Sequence, residues 1–146
     1  MTASRAVVST CLAGLVASLL LVGVVSGTLI RHVVQVLPIL AAAVVVMRRP
    51  DWGAYAAVPI FLFWLFIVVL IWLFLLGISR LANGQYTAIE IVCTMFMAAF
   101  AAVGVGASPR LGMKLRMGGR IATVVVFAML QVAAMWASFL KPVVNR

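Results

Sequence analysis

Carboxylates are nearly missing from this chain: Asp and Glu total two in 146 residues, beside one His and two Cys. So few titratable groups exclude a paired-carboxylate acid–base site, a Ser/His/Asp set and an HExxH helix. The cysteines, Cys11 and Cys93, fall in apolar runs without a CxxC, which excludes a disulfide scaffold and reads as two small buried side chains. Charged residues make up only 9% of the chain, against about 25% in an ordinary soluble domain. A phosphate-binding glycine loop is also missing. No catalytic constellation remains, and the expectation is that the chain is not an enzyme.

What is present is apolar surface. Hydrophobic residues reach 67%, where soluble domains hold about 45–50%. A domain of this size cannot bury that much in one core. The sequence therefore reads as an all-α integral membrane protein, a single polytopic unit with little outside its spans.

Charge-free stretches divide the chain into spans at residues 6–30, 32–47, 54–79, 86–107 and 121–140. A span needs about 20 apolar residues. Four runs meet that length. The run 33–47 has 15 residues and contains Pro38, or roughly 22 Å of helix against a hydrocarbon core of about 30 Å. Snorkelling Arg31 and Arg48 close most of the gap. The expectation is a compact bundle of five transmembrane helices, four if 33–47 does not span. Arg5 before the first run resembles a signal peptide, but a charge-free run of 25 residues exceeds an h-region and reads as an uncleaved span.

The chain carries 11 Lys and Arg and a net charge of +9. These lie between apolar runs, as topology signals do, without the basic helix or stacking platform that nucleic acid requires. With five spans and the N-terminus inside, Arg5, Arg48, Arg49, Arg110, Lys114, Arg116 and Arg120 fall on the inner side, and Arg31, Arg80, Lys141 and Arg146 on the outer. Loops 48–53 and 108–120 are thus cytoplasmic, and a bacterial cytoplasmic membrane is the expected location. Arg48, Arg49, Arg110, Lys114, Arg116 and Arg120 are candidate contacts to anionic lipid headgroups. The three glycines of 110–120 argue for a loop there. Trp52, Tyr55, Tyr86, Trp136 and Phe139 mark the two interfaces, while Trp64 falls mid-membrane as a packing residue.

The fourth span holds the most information. Thr87, Glu90, Thr94, Met97, Ala101, Gly104 and Ser108 form one helical stripe and should face protein. Ile89, Val92, Phe96, Phe100 and Val103 should face lipid. Ala98, Ala102 and Gly106 make a second small-residue ridge. Glu90 is the one acid within a span. Two readings are open for it: an ion pair with Arg80, Arg31 or His32, or a proton or cation site supported by Thr87 and Thr94. His32 lacks a second ligand at suitable spacing, so no metal, haem or other cofactor is expected. Gly23 and Gly27 form a GxxxG packing motif, and Gln131 suits an interhelical bond. Arg31-His32 reads as the turn between the first two spans. The third span, free of aliphatic hydroxyl, amide or charge from residue 56 to 78, should face lipid or a partner subunit.

Two functions from different classes follow. The first is an accessory or assembly subunit that packs in a membrane complex or with copies of itself. The second is a small oligomeric transporter or channel with Glu90 as its coupling carboxylate. Either way the purified chain should require detergent or lipid. Sedimentation in plain buffer is expected to show aggregates, and a monodisperse species there would overturn the membrane reading.

Overall fold

A computed structural model describes residues 3–79, 86–111 and 115–140. These are almost entirely helical: α1 (Ala3–Val25), α2 (Leu29–Arg48), α3 (Pro50–Leu75), α4 (Ala88–Ala107) and α5 (Met117–Ala137), with a short 3-10 turn at Ser108–Arg110. All five helices are long and apolar enough to cross a membrane. The second run is a helix of 20 residues, or about 30 Å. It gains its length from Leu29, Ile30, Arg31 and His32 and continues through the buried Pro38.

Helices α1 to α4 form a ring in which each packs on its neighbours in sequence and α4 closes on α1. Helix α5 lies outside the ring against α3 and α2. Cross-contacts give the directions. Phe61 in the first half of α3 meets Gly104 near the end of α4, while Trp72 near the end of α3 bonds Thr94 near the start of α4. These two helices are therefore antiparallel. Helices α3 and α5 are parallel, because Tyr55 and Arg120, both near their starts, adjoin.

The core follows helical spacing. Val8, Leu12, Leu15 and Leu19 line α1, Val36, Ile39, Ala42 and Val46 line α2, and Ile60, Phe61, Trp64 and Val68 line α3. The α4 stripe of Glu90, Thr94, Met97, Ala101, Gly104 and Ser108 is buried, and Ile89, Val92, Phe96 and Val103 are exposed. Contrary to expectation, Thr87, before the first turn, is exposed and Phe100 is half-buried against Gly14 of α1. Apolarity does not separate core from periphery. The third helix, expected at the edge, is a hub that contacts α2, α4 and α5. Lipid is as apolar as protein, so helices associate through close packing rather than hydrophobicity. The early turns of α3 supply that packing with the buried small residues Gly53, Ala54, Ala56 and Ala57.

The ends correct several sequence boundaries. Helix α1 stops at Val25 because Gly27 takes φ 68°. Thr28 N–H then bonds the Gly23 carbonyl at 2.8 Å and Gly27 N–H the Val24 carbonyl at 3.3 Å, a Schellman cap. Gly27 is thus a helix stop rather than half of a packing motif. The turn between α1 and α2 is residues 26–28, and Arg31 and His32 lie inside α2. Gly77, at φ 71°, closes α3 with the same bonding pattern. The break expected across 48–53 reduces to Arg49 alone, because Pro50 opens α3 at a position where its missing N–H costs nothing. Gly118, Gly119 and Arg120 belong to α5 rather than to a loop.

Close approach requires glycine at several crossings, among them Gly14, where a Cβ would enter the Phe100 ring. A Cβ on Gly53 would strike the Val46 backbone, and one on Gly104 would enter the Phe61 ring. Gly106 has open space and Ala102 is exposed, so among the described residues the second small ridge is covered only at the partly buried Ala98. Gly53→Val and Gly104→Val are expected to destabilise the bundle by about 1–3 kcal/mol. Gly106→Ala should stay within about 0.5 kcal/mol of the parent. Thermal unfolding in one detergent checks the ranking.

Candidate functional site

Most polar side chains of the bundle gather toward the end where α1 meets α2 and α4 begins. They form separate local sets rather than one line. The first is the start of α4. Thr87 is its N-cap: the Thr87 hydroxyl accepts from Glu90 N–H at 3.3 Å, and the Glu90 carboxylate accepts from Thr87 N–H at 2.7 Å and from its hydroxyl at 2.8 Å. This is a reciprocal capping box, with Glu90 7% exposed. Thr87-Ala88-Ile89-Glu90 carries the S/T-x-x-E signature, a signal the sequence reading passed over. One turn on, the Trp72 indole N–H donates to Thr94 at 3.0 Å and ties α3 to α4. Tyr86, just before α4, has its phenol pushed above the ordinary value, by burial first and by the Glu90 carboxylate second.

Of the cationic groups expected to pair with Glu90, Arg31 and His32 are engaged elsewhere. The Arg31 guanidinium lies 3.8 Å from the Phe139 ring centroid and joins α2 to the end of α5. His32 Nδ1 sits 3.1 Å from both the Thr28 hydroxyl and carbonyl, and the Thr28 hydroxyl is 2.6 Å from that of Ser26. Gly23 lets α1 approach this ring, since a Cβ there would stand 2.9 Å from His32 Cβ. Arg80 lies outside the described residues.

The third set joins α2 to α5. Gln35 donates to Ser138 at 2.9 Å and to the Met135 sulfur at 3.3 Å. Gln131, wholly buried, donates to the Gln35 carbonyl at 3.4 Å. That carbonyl stands three residues before Pro38, whose ring disturbs the local helix ladder. Gln35 was an unassigned polar residue in the sequence, and only the α2–α5 contact gives it a partner.

Below these sets the middle of the bundle is apolar. Leu12, Leu15, Ile39, Ile60, Phe61, Trp64 and Met97 fill it, each at most 3% exposed. At the opposite end, the Ser108 and Thr123 hydroxyls bond back to carbonyls of their own helical turns. An open groove of about 390 Å³ between α1 and α4 is lined by Ala17, Leu21, Ile89, Val92 and Phe96, with Ser18 and Cys93. Both cysteines are free and buried. Among the described residues no three His, Cys, Asp or Glu side chains converge as metal ligands would. Of the candidate headgroup residues, Arg48, Arg49, Arg110 and Arg116 are exposed and Arg120 is half-buried, while Lys114 lies outside the described residues.

No protein-family model, curated protein or solved structure matches the chain. The arrangement itself can clamp helices together. Gln35→Leu, which removes both donor bonds, is expected to destabilise α5 docking by about 0.6–1.7 kcal/mol. A Trp72→Phe variant should lose a similar amount at the α3–α4 contact. Unfolding midpoints in micelles, with proteolysis of α5 as the local readout, test both values.

Proposed function

We propose that this chain is a small multi-pass membrane protein with a structural role, an accessory or assembly subunit that packs in a larger membrane complex or with copies of itself. The observation that carries this reading is the bonding of Glu90. The one in-span acid spends its carboxylate on the cap of its own helix. Gln35, Gln131, Ser138, Trp72 and Thr94 are used between helices, while Ser9 Oγ, Trp64 Nε1 and Gln131 Oε1 are buried without a hydrogen-bond partner among the described residues, and a largely apolar layer separates the two ends. Such a bundle is built to be sealed. Much of α5 faces outward, with only Thr123 and Gln131 buried along it, which leaves apolar surface for lipid or a neighbouring chain.

The second reading is a proton- or cation-coupled oligomer, with Glu90, the one acid within a span, as its coupling carboxylate. In both readings the arginine-rich end lies in the cytoplasm, in keeping with the excess of basic residues there. A bacterial cytoplasmic membrane is the proposed location, and no enzymatic activity is assigned.

Substitution of Glu90 separates the two readings, because glutamine also serves at the third position of a capping box. The structural role expects Glu90→Gln to fold and assemble as the parent does, and Glu90→Ala to lose about 1 kcal/mol of stability. Unfolding midpoints and the mass of the complex extracted in mild detergent give these outcomes. Proton or cation flux in liposomes that is present in the parent and abolished in a well-folded Glu90→Gln would sink the structural reading.

A further inference from the structure

Arginine accumulates at the end of the bundle where α1, α3 and α5 begin. Arg48, Arg49, Arg110 and Arg116 are exposed there, with Arg5 and Arg120 half-buried and Asp51 the one described carboxylate beside them. Within this patch two parallel helices start side by side. The Arg120 guanidinium lies 5.5 Å from the Tyr55 ring centroid, and a Cβ on Gly119 would meet the Trp52 ring at 3.7 Å. The N-cap of α3 is Arg49 and that of α5 is Arg116, and neither side chain caps its helix.

Arginine suits this position poorly. It has no acceptor for the orphan N–H groups, and its charge has the same sign as the helix end. Several like charges at one junction need a compensating anion. The surface next to them is apolar: Trp52, Met117 and Ile121 are 40%, 70% and 57% exposed. Free phosphate or an acidic peptide would leave those side chains uncovered. A phospholipid meets both demands, its phosphate on the arginines and its acyl chains along Met117 and Ile121, with Trp52 at headgroup depth.

We propose that the junction of the α3 and α5 N-termini binds the phosphate of an anionic phospholipid, held by Arg49 and Arg116, beside an Arg120 whose Nε donates to the Leu115 carbonyl at 2.8 Å. This site rests on the membrane reading above and gives it a defined lipid partner.

The full chain, delipidated in detergent, is titrated with phosphatidylglycerol or phosphatidylcholine and followed by native mass spectrometry. Phosphatidylglycerol should be preferred by about tenfold or more. Loss of both exposed cap residues, Arg49→Gln with Arg116→Gln, should weaken its binding about thirty-fold. The charge-matched control Arg5→Gln, on a helix not packed on α5, should leave binding near the parent value. Circular dichroism and gel filtration confirm that each variant is folded. Should the double variant fail to fold, Arg116→Gln alone is read, with about fivefold weaker binding expected. Equal binding of the two lipids, or an equal loss in Arg5→Gln, overturns the site. Thermal stabilisation by millimolar inorganic phosphate equal to that by phosphatidylglycerol also overturns it, in favour of a free-anion site. A chain monodisperse in plain buffer removes the membrane reading and this site with it, whereas a detergent-dependent chain without lipid preference removes the site alone.

Discussion

Close approach of helix backbones is the constraint on which the rest of this bundle depends. When the surroundings are as apolar as the interior, burying leucine gives helices little reason to meet. Contact must come from shape. Gly53 brings α3 against the backbone of Val46, Gly104 admits the Phe61 ring, and Gly23 admits His32. Each contact joins a different pair of helices. Together they hold the ring of α1 to α4, and α5 attaches to its outer side.

Polar side chains do the complementary work. An unpaired buried polar group is costly in such an interior, and three hydrogen-bonded sets secure a helix end or a crossing, although Ser9 Oγ and Trp64 Nε1 are buried without a partner among the described residues. The Thr87–Glu90 box starts α4, the Trp72–Thr94 bond aligns α3 with α4, and Gln35 with Gln131 and Ser138 fixes the register of α5 on α2. The same economy argues against a passage through the bundle. The hydrogen-bonded sets between helices lie near one end, and large side chains, mostly apolar, occupy the layer beneath. The arginines at the other end have a different character: Arg48, Arg49, Arg110 and Arg116 face outward, while Arg120 adjoins Tyr55 across the α3–α5 contact.

Much of the fold was legible in the residues. The length and apolarity of the runs called for five helices, and the 3–4 spacing of the α4 stripe divided its buried face from its exposed one. The order of importance among helices was not legible. Helix α3 reads as peripheral because it lacks polar groups, yet it is a hub, since small early residues rather than polarity decide which helix sits inside. Turn positions were misplaced where charge was taken as the boundary. Arg31 and His32 looked like a loop, but Gly27 ends α1 sooner because a left-handed backbone conformation there costs glycine little. Gly23 and Gly27 looked like a pair, and the two have unrelated duties, one a close contact and one a cap.

The sequence by itself determined the class of structure, the number of long apolar helices and the faces of α4, because these follow from local periodicity and from how far an apolar run reaches. It also contained the capping box of Glu90, whose partners lie within four residues. Only the tertiary structure decided that Arg31 stacks on Phe139 rather than meeting Glu90, that Gln35 bonds Ser138, and that two arginine-capped helix ends stand together. Those pairings join residues far apart in the chain. Periodicity along one helix says which side is buried, but the identity of the neighbour depends on how the backbones pack.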